Sequence, residues 1–176
     1  MLFRSPARPT SLDLGQKRAQ GIEFDLRGTV VRGLNLVANY AYTDSRIVKS
    51  ADGSKIEEGT IVPGFAKHTM NTWLTYKIHE GTLKGIGFSA GYTSLLGRAT
   101  YWEKSPDADH EMDNYFKLDG GIFWEQDNLK IAVNVFNVLD AYLYSGSYAS
   151  NYFSIPVYSY QTEAPRNGRL SISYKF

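Results

Sequence analysis

The residues best able to hold a metal ion are three histidines and a run of acidic side chains. His68, His79 and His110 are scattered along the chain, without the spacing of a metal-binding motif. The acids surround His110: Asp107, Asp109, Glu111 and Asp113. Their oxygens could attract a divalent cation, but the glycine turn and terminal glutamate of a calcium-binding loop are missing. We therefore expect a solvated loop here, and neither a metal nor another cofactor.

Catalytic motifs are missing as well. The sequence contains no cysteine and no Gly-x-Ser-x-Gly, phosphate-binding loop or His-Glu-x-x-His pattern. The paired carboxylates Glu57 and Glu58 lie in a polar stretch with no sign of burial. A net charge of +1 does not indicate the basic surface that nucleic-acid binding requires. We expect no catalytic residue, no enzymatic activity and no nucleic-acid partner.

Aromatic side chains are the more informative group, with 13 Tyr, 9 Phe and 3 Trp in 176 residues. One set falls at or within long connections: Tyr101, Trp102, Tyr144, Tyr148, Tyr152 and Tyr158. Another set lies on apolar strand faces near strand ends and includes Trp124, Tyr174 and Phe176. The second arrangement is typical of an aromatic girdle at a membrane interface.

Alternation of apolar and polar residues is the dominant pattern of the chain. In the first strand Ile22, Phe24 and Leu26 share one face, and Glu23 and Asp25 lie on the other. The same counting predicts seven strands in all: 22–30, 34–43, 69–78, 86–94, 116–125, 129–136 and 169–176. We predict an all-β fold of about seven antiparallel strands in a meander.

The connections between these strands alternate strictly between short and long. The long ones are residues 50–64, 103–113 and 141–165. All long connections therefore lie at one end of the sheet, and the second strand faces are polar. Transmembrane β-barrels have both features, with lipid outside, a polar lumen inside and long loops on the extracellular side. The pattern favours a transmembrane barrel.

Seven strands make only a partial barrel, because bacterial single-chain barrels have even strand numbers and lipid cannot satisfy an open edge. We expect residues 1–18, with three prolines, to be an irregular lead-in, and residues 19–176 to be the strands that close a larger barrel. Two alternatives remain open. One is a self-contained eight-stranded outer-membrane barrel with a structural or adhesive role, and the other is a soluble β-sandwich or lipocalin-like binder.

Several segments, in this order, resemble the late barrel strands of TonB-dependent outer-membrane receptors, and within that family the siderophore receptors. They are residues 20–25 (QGIEFD), 33–44 (GLNLVANYAYTD), 62–68 (VPGFAKH), 134–140 (NVFNVLD), 165–170 (PRNGRL) and 174–176 (YKF). The resemblance implies a barrel of about 22 strands, of which these would be the last seven. It also implies the bacterial outer membrane as location and outer-membrane lipid as surroundings.

The resemblance further implies import of a ferric siderophore or a similar scarce ligand. The loop aromatics named above would grip the iron chelate; alternatively, they pack on one another above the membrane. The family contacts TonB through an N-terminal plug and a short box, and this sequence contains neither, so any TonB contact would require a plug from outside it. Phe176 matches the terminal aromatic that outer-membrane proteins present to the barrel-assembly machinery.

Overall fold

The computed structural model of the chain describes residues 15–50, 57–99, 111–152 and 155–176, with the backbone alone at residues 99, 111, 147–152 and 155–158. The described chain is all-β, and it contains no helix long and apolar enough to cross a membrane. Its strands are β1 (Gln16–Val31), β2 (Leu34–Lys49), β3 (Ala66–Lys77), β4 (Ile86–Ala99), β5 (Glu111–Met112), β6 (Tyr115–Gln126), β7 (Leu129–Phe136), β8 (Tyr144–Tyr152), β9 (Ile155–Thr162) and β10 (Asn167–Tyr174).

Seven of these strands form one antiparallel sheet in the order β1-β2-β3-β4-β6-β7-β10. The short β5 extends the pairing of β4, and β8 with β9 forms a separate hairpin between β7 and β10. The predicted meander of seven antiparallel strands is confirmed. Within the described residues β1 and β10 each pair along one edge only, so the sheet is an open portion of a barrel.

The cross-strand register separates an apolar face from a polar face. Phe24 lies opposite Tyr40, which in turn lies opposite Met70, and the neighbouring row aligns Asp25 with Asn39. Large apolar side chains on the first face are exposed: Ile22, Phe24, Leu26, Leu74, Phe88, Ile122, Leu170 and Ile172. Water would penalise such a surface, and the hydrocarbon of a bilayer would not. The apolar face is therefore the lipid face.

Short turns gather at one end of the sheet, which we call the short-turn end. Arg32 and Gly33 connect β1 to β2, and Asp127 and Asn128 connect β6 to β7. Gly33 has a φ of +87°, and a Cβ at this position would overlap the carbonyl oxygen of Lys77. This turn therefore requires glycine.

The strands extend further toward the opposite, long-loop end than the alternation predicts. β1 begins at Gln16, inside the expected lead-in, and Gln16 pairs with Lys49 six residues beyond the predicted end of β2 at Thr43. Roughly 9–11 residues of a strand suffice to cross a bilayer, whereas β2 has 16. Residues 16–21 and 44–49 do not alternate between apolar and polar side chains, although their backbones pair, so the pairing continues after the sequence pattern has ended.

The long connection over residues 141–165 contains two strands that the alternation did not predict, β8 and β9. Tyrosine and serine dominate this segment. Tyrosine favours strands, but the segment lacks the alternation that reveals a half-buried strand. Buried apolar side chains gather near its base and along the long-loop end, at Met112, Tyr115 and Leu143.

Candidate ligand-binding hairpin and its anchors

Asn137 ties together the two ends of the connection that carries the hairpin of β8 and β9. It follows β7 with a φ of 54° and is 1% exposed. Its side-chain amide donates to the carbonyl oxygens of Ala141 at 3.0 Å and Ala164 at 3.4 Å, and its Oδ1 accepts from the N–H of Ala141 at 3.0 Å. Its own N–H donates to Oδ1 of Asp119 in β6 at 2.8 Å. The connection therefore leaves and rejoins the sheet at one bonded point.

A second anchor joins Asp140 to Arg166 at the same base. The backbone N–H of Arg166 donates to Oδ1 of Asp140 at 2.8 Å, and the guanidinium lies 3.4 Å from Oδ2. The same guanidinium donates to the carbonyl oxygen of Val138 at 3.4 Å. Slightly further up, the N–H of Glu163 donates to the carbonyl oxygen of Leu143 at 2.9 Å. The base is thus closed by both side-chain and backbone bonds.

Arg98, near the end of β4, provides a third anchor from a strand that does not border the hairpin in the sheet. Its Nη1 donates to the carbonyl oxygen of Tyr144 at 2.7 Å, and its Nη2 donates to that of Ser145 at 2.8 Å. Nη1 also lies 3.4 Å from the carbonyl oxygen of Asp113, and the guanidinium carbon lies 5.8 Å from the centre of the Tyr115 ring. Arg98 is only 9% exposed.

The charged guanidinium of Arg98 is held by backbone carbonyl oxygens and lies over the aromatic ring of Tyr115. Arg98 is the thirteenth residue of β4 counted from the short-turn end, and roughly 9–11 residues cross a bilayer, so the site lies beyond the membrane. Burial lowers the pKa of the guanidinium from its ordinary value. An arginine nevertheless keeps its charge at neutral pH, so removing its acceptors would leave a buried charge unpaired.

The hairpin brings together four of the six loop aromatics that the sequence singled out. Tyr144 opens β8, and the backbones of Tyr148, Tyr152 and Tyr158 lie in β8 and β9. The Tyr144 ring meets that of Tyr160 in β9, with centres 5.4 Å apart and planes tilted by 55°. The other two predicted residues, Tyr101 and Trp102, lie outside the described residues.

Arg98 and Asn137 are the residues that sequence reasoning missed. Arg98 offered a signal, since alternation along β4 would place it with Ser94 and Leu96 on the lipid face, where a charge is costly. Gly97, with a φ of +63°, interrupts that alternation. The sequence signal at Asn137 was weaker: asparagine is among the few residues that readily adopt a positive φ.

The predicted membrane-girdle residues lie at the short-turn end. Trp124 is two residues from the end of β6, and Tyr174 pairs with Leu129 at the start of β7. The Tyr174 and Phe176 rings meet edge to face with centres 5.1 Å apart, and the Phe176 side chain is fully exposed. Their roles in membrane anchoring and assembly stay predictions.

The polar face carries ion pairs and amide contacts typical of a wet lumen wall. Glu125 accepts from Lys77 at 2.9 Å and lies 3.4 Å from Lys130. Asn71 donates to Asn39 at 2.9 Å. Charged and amide side chains that pair across neighbouring strands are stable beside water and costly in hydrocarbon. The face therefore suits an aqueous channel.

In the part of the chain that the structure describes, no group of three or more His, Asp or Glu side chains could hold a metal ion. His68 pairs its Nδ1 with the hydroxyl of Tyr40 at 2.9 Å and lies beside the Tyr42 ring. Most of the acidic cluster around His110 lies outside the described residues. The absence of a metal site stays a prediction.

Comparison with known proteins identifies the family. The family model described as TonB dependent receptor-like, beta-barrel matches residues 3–138. The ferric-pyoverdine M114 receptor of Pseudomonas sp. strain M114 is 28% identical over 139 residues, which are 77% of this chain and 16% of that receptor. The probable TonB-dependent siderophore receptor PiuA of Acinetobacter baumannii is 25% identical over 180 residues, 95% of this chain and 22% of the relative. The chain thus spans about a fifth of these relatives.

Solved structures show the same fold. The ferric yersiniabactin uptake receptor FyuA from Yersinia pestis has a TM-score of 0.71 at 18% identity, covering 93% of this chain and 24% of that one. The ferric-catecholate import receptor Fiu from E. coli K12, in its closed form, has a TM-score of 0.68 at 20% identity, covering 92% and 21%. Identities this low establish the fold alone, which is a portion of a barrel wall.

Family membership excludes one of the classes that the sequence left open. A soluble β-sandwich or lipocalin-like binder is excluded, because the family model that matches residues 3–138 is the β-barrel of TonB-dependent receptors. The expectation that the chain is not an enzyme is confirmed, since the family consists of receptors. The chain belongs to the TonB-dependent receptor family, as part of the β-barrel wall that these bacterial proteins form in the outer membrane.

Proposed function

We propose that this chain forms part of the wall of an outer-membrane receptor that imports a ferric siderophore or a similar scarce ligand. Two curated relatives are named for ferric pyoverdine and for a siderophore, and two solved neighbours are named for ferric catecholate and ferric yersiniabactin. In this proposal the long-loop end is extracellular, and the polar face lines the lumen through which the ligand passes.

The observation that carries the proposal is the anchored, tyrosine-bearing hairpin at the long-loop end. Tyr142, which leads into it, is 89% exposed, and the Tyr144 and Tyr160 rings pack against each other. Aromatic rings supply a rigid apolar face, and tyrosine adds a hydroxyl that can bond to the oxygens of an iron chelate. Ordering these rings beforehand reduces the entropy lost when a ligand binds. We propose that Tyr148, Tyr152, Tyr158, Tyr101 and Trp102 complete this surface.

The transport step requires no catalytic residue in this chain. TonB would supply the energy by pulling on a plug domain elsewhere in the complete receptor, and the wall would provide the loops and the lumen. Trp124 and Tyr174 would hold the short-turn end at the lipid interface, and Phe176 would be the contact for the assembly machinery.

Uptake in iron-limited cells tests the proposal. Cells with and without the complete protein would be supplied with radioactive iron as ferric pyoverdine, as a ferric tris-catecholate or as ferrichrome. We expect uptake of at least one complex to require both the protein and TonB. The double variant Tyr144→Ala, Tyr160→Ala should weaken binding of that complex several-fold, and Tyr76→Ala on the lipid face serves as the matched control.

Two results would contradict the proposal. If the protein reaches the outer membrane but uptake of none of the three complexes depends on it, iron-siderophore import is wrong for these ligand classes. If its loss instead changes only cell attachment or envelope integrity, the structural or adhesive alternative becomes the better explanation.

A further inference from the structure

The hairpin of β8 and β9 needs an external support to keep one orientation. Its strands pair with each other and with no strand of the seven-stranded sheet in the described chain. A two-stranded hairpin without packing is marginally stable in water. The bonds of Asn137 and Asp140 close its base, but they involve residues outside β8 and β9 and so leave the direction of the hairpin undetermined.

The contacts of Arg98 determine the direction in which the hairpin of β8 and β9 points. The connection rises between β7 and β10, whereas Arg98 belongs to β4, with β6 lying between β4 and β7. Because Arg98 bonds to the backbone at Tyr144 and Ser145, the first residues of β8 must lean across the end of β6. Tyr115, the first residue of β6, is correspondingly only 5% exposed. Tyr115 shares the polar side of β6 with Asp119, so the lean is over the lumen side.

The chemistry at this contact is specific to arginine. Two different guanidinium nitrogens bond to two successive carbonyl oxygens at 2.7 and 2.8 Å. A planar, fixed fork can satisfy both acceptors at once, while a lysine ammonium is a single point charge. Glutamine matches the length poorly and brings no charge to a site in which the ring of Tyr115 also faces the cation.

We propose that Arg98 is a positioning residue for ligand binding: it holds the hairpin of β8 and β9 over the lumen, so that the Tyr144–Tyr160 pair faces an incoming ferric siderophore. The inference rests on the proposed function for the identity of the ligand, and on the Arg98 contacts alone for the position of the hairpin. Arg98 itself contacts the hairpin backbone, so its effect on the ligand is indirect.

The test uses the complete receptor, folded in detergent, with Arg98→Gln, Arg98→Lys and the control Arg32→Gln. Arg32 makes an exposed ion pair with Glu80 at the short-turn end, far along the chain from the hairpin. Hydrogen–deuterium exchange over residues 144–162 reports hairpin order. Binding is measured with ferric pyoverdine, a ferric tris-catecholate and ferrichrome, and heat-modifiable migration confirms that each variant is folded.

For Arg98→Gln we expect exchange in the hairpin to rise about tenfold or more, the size expected from a lost bond to a charged group, with β1–β3 unchanged. Affinity for the complex that the unmodified receptor binds should also fall about tenfold, because binding requires the ordered hairpin. Arg98→Lys should recover only part of both effects. Saturating complex should restore protection of the hairpin, which a purely structural anchor would not show.

Three results would overturn the inference. Unchanged hairpin exchange in folded Arg98→Gln would show that Arg98 does not position it. Faster exchange with unchanged affinity would show that the hairpin does not contact the ligand. If the unmodified receptor binds none of the three complexes, the proposed function fails together with the ligand part of the inference, while the exchange data still decide the positioning part.

Discussion

Asn137 and Asp119 are joined by a 2.8 Å hydrogen bond from the backbone N–H of Asn137 to Oδ1 of Asp119. Asp119 lies on the polar face of β6, and Asn137 is the first residue after β7, so the bond fixes the point at which the chain leaves the sheet. The side chain of Asn137 then bonds to Ala141 and Ala164, at the two ends of the connection. One residue therefore couples the wall to the base of the hairpin.

Replacing Asn137 should destabilise the long-loop end by two separable effects. Asn137→Ala should cost about 1–2 kcal/mol for the positive φ and about 1–3 kcal/mol for the part-buried carbonyls of Ala141 and Ala164 left without a donor. Asn137→Gly should incur only the second cost, because glycine accepts the backbone conformation. Denaturant unfolding of the complete protein in detergent measures both. Equal stability of the alanine and glycine variants would show that the φ of 54° carries no strain.

Asp140 and Arg166 should stabilise the fold through the hydrogen bond from the Arg166 backbone N–H to Asp140 more than through the attraction of their charges. Both side chains are about half exposed, and exposed ion pairs contribute about 0–1 kcal/mol. Arg166→Gln and Asp140→Asn should therefore each change stability by less than about 1 kcal/mol, since asparagine keeps both the acceptor oxygen and the tolerance for a positive φ. Asp140→Ala should cost about 1–2 kcal/mol more than Asp140→Asn. The same unfolding measurement applies, and a large effect of Arg166→Gln would instead assign the stability to charge.

The wall was predictable from the sequence because lipid and lumen impose opposite demands on alternate residues. Ile22 and Glu23 already show this alternation, and β1 keeps it as far as Val30. The hairpin was not predictable in this way, since no packed face orders its residues into two classes. The Arg98 contact was hidden for a different reason: its acceptors are backbone carbonyls 46 and 47 positions away, which no side-chain type marks.

Gly91 should resist substitution because Trp73 and the neighbouring backbone occupy the space beside it. A Cβ at Gly91 would overlap the Trp73 ring and the carbonyl oxygen of Thr72 on β3. The ring could turn away, but the carbonyl belongs to the backbone of the paired strand, so Gly91→Ala should separate the two strands locally. We expect a loss of about 1–3 kcal/mol, as for other overpacked sites.

Gly120→Ala is the matched control for Gly91→Ala. A Cβ at Gly120 would have its nearest contact at 3.5 Å, with the carbonyl oxygen of Ser89. This is an ordinary van der Waals distance, so the variant should unfold at nearly the same denaturant concentration as the unmodified protein. A loss of stability as large as that of Gly91→Ala would mean that a methyl group added at any glycine of these strands is destabilising, whatever space surrounds it.

Phe176 should affect assembly of the receptor more than its stability. Its ring is fully exposed and meets the Tyr174 ring edge to face, so it adds little buried area to the folded wall. Phe176→Ala should leave the unfolding free energy within about 0.5 kcal/mol, as for other surface positions, yet reduce the amount of heat-modifiable receptor in the outer membrane. Tyr174→Ala is the control, because the Tyr174 side chain lies opposite Leu129 across the β7–β10 pair and its loss should lower stability as well. A normal membrane yield of Phe176→Ala would remove the role of this residue as an assembly contact.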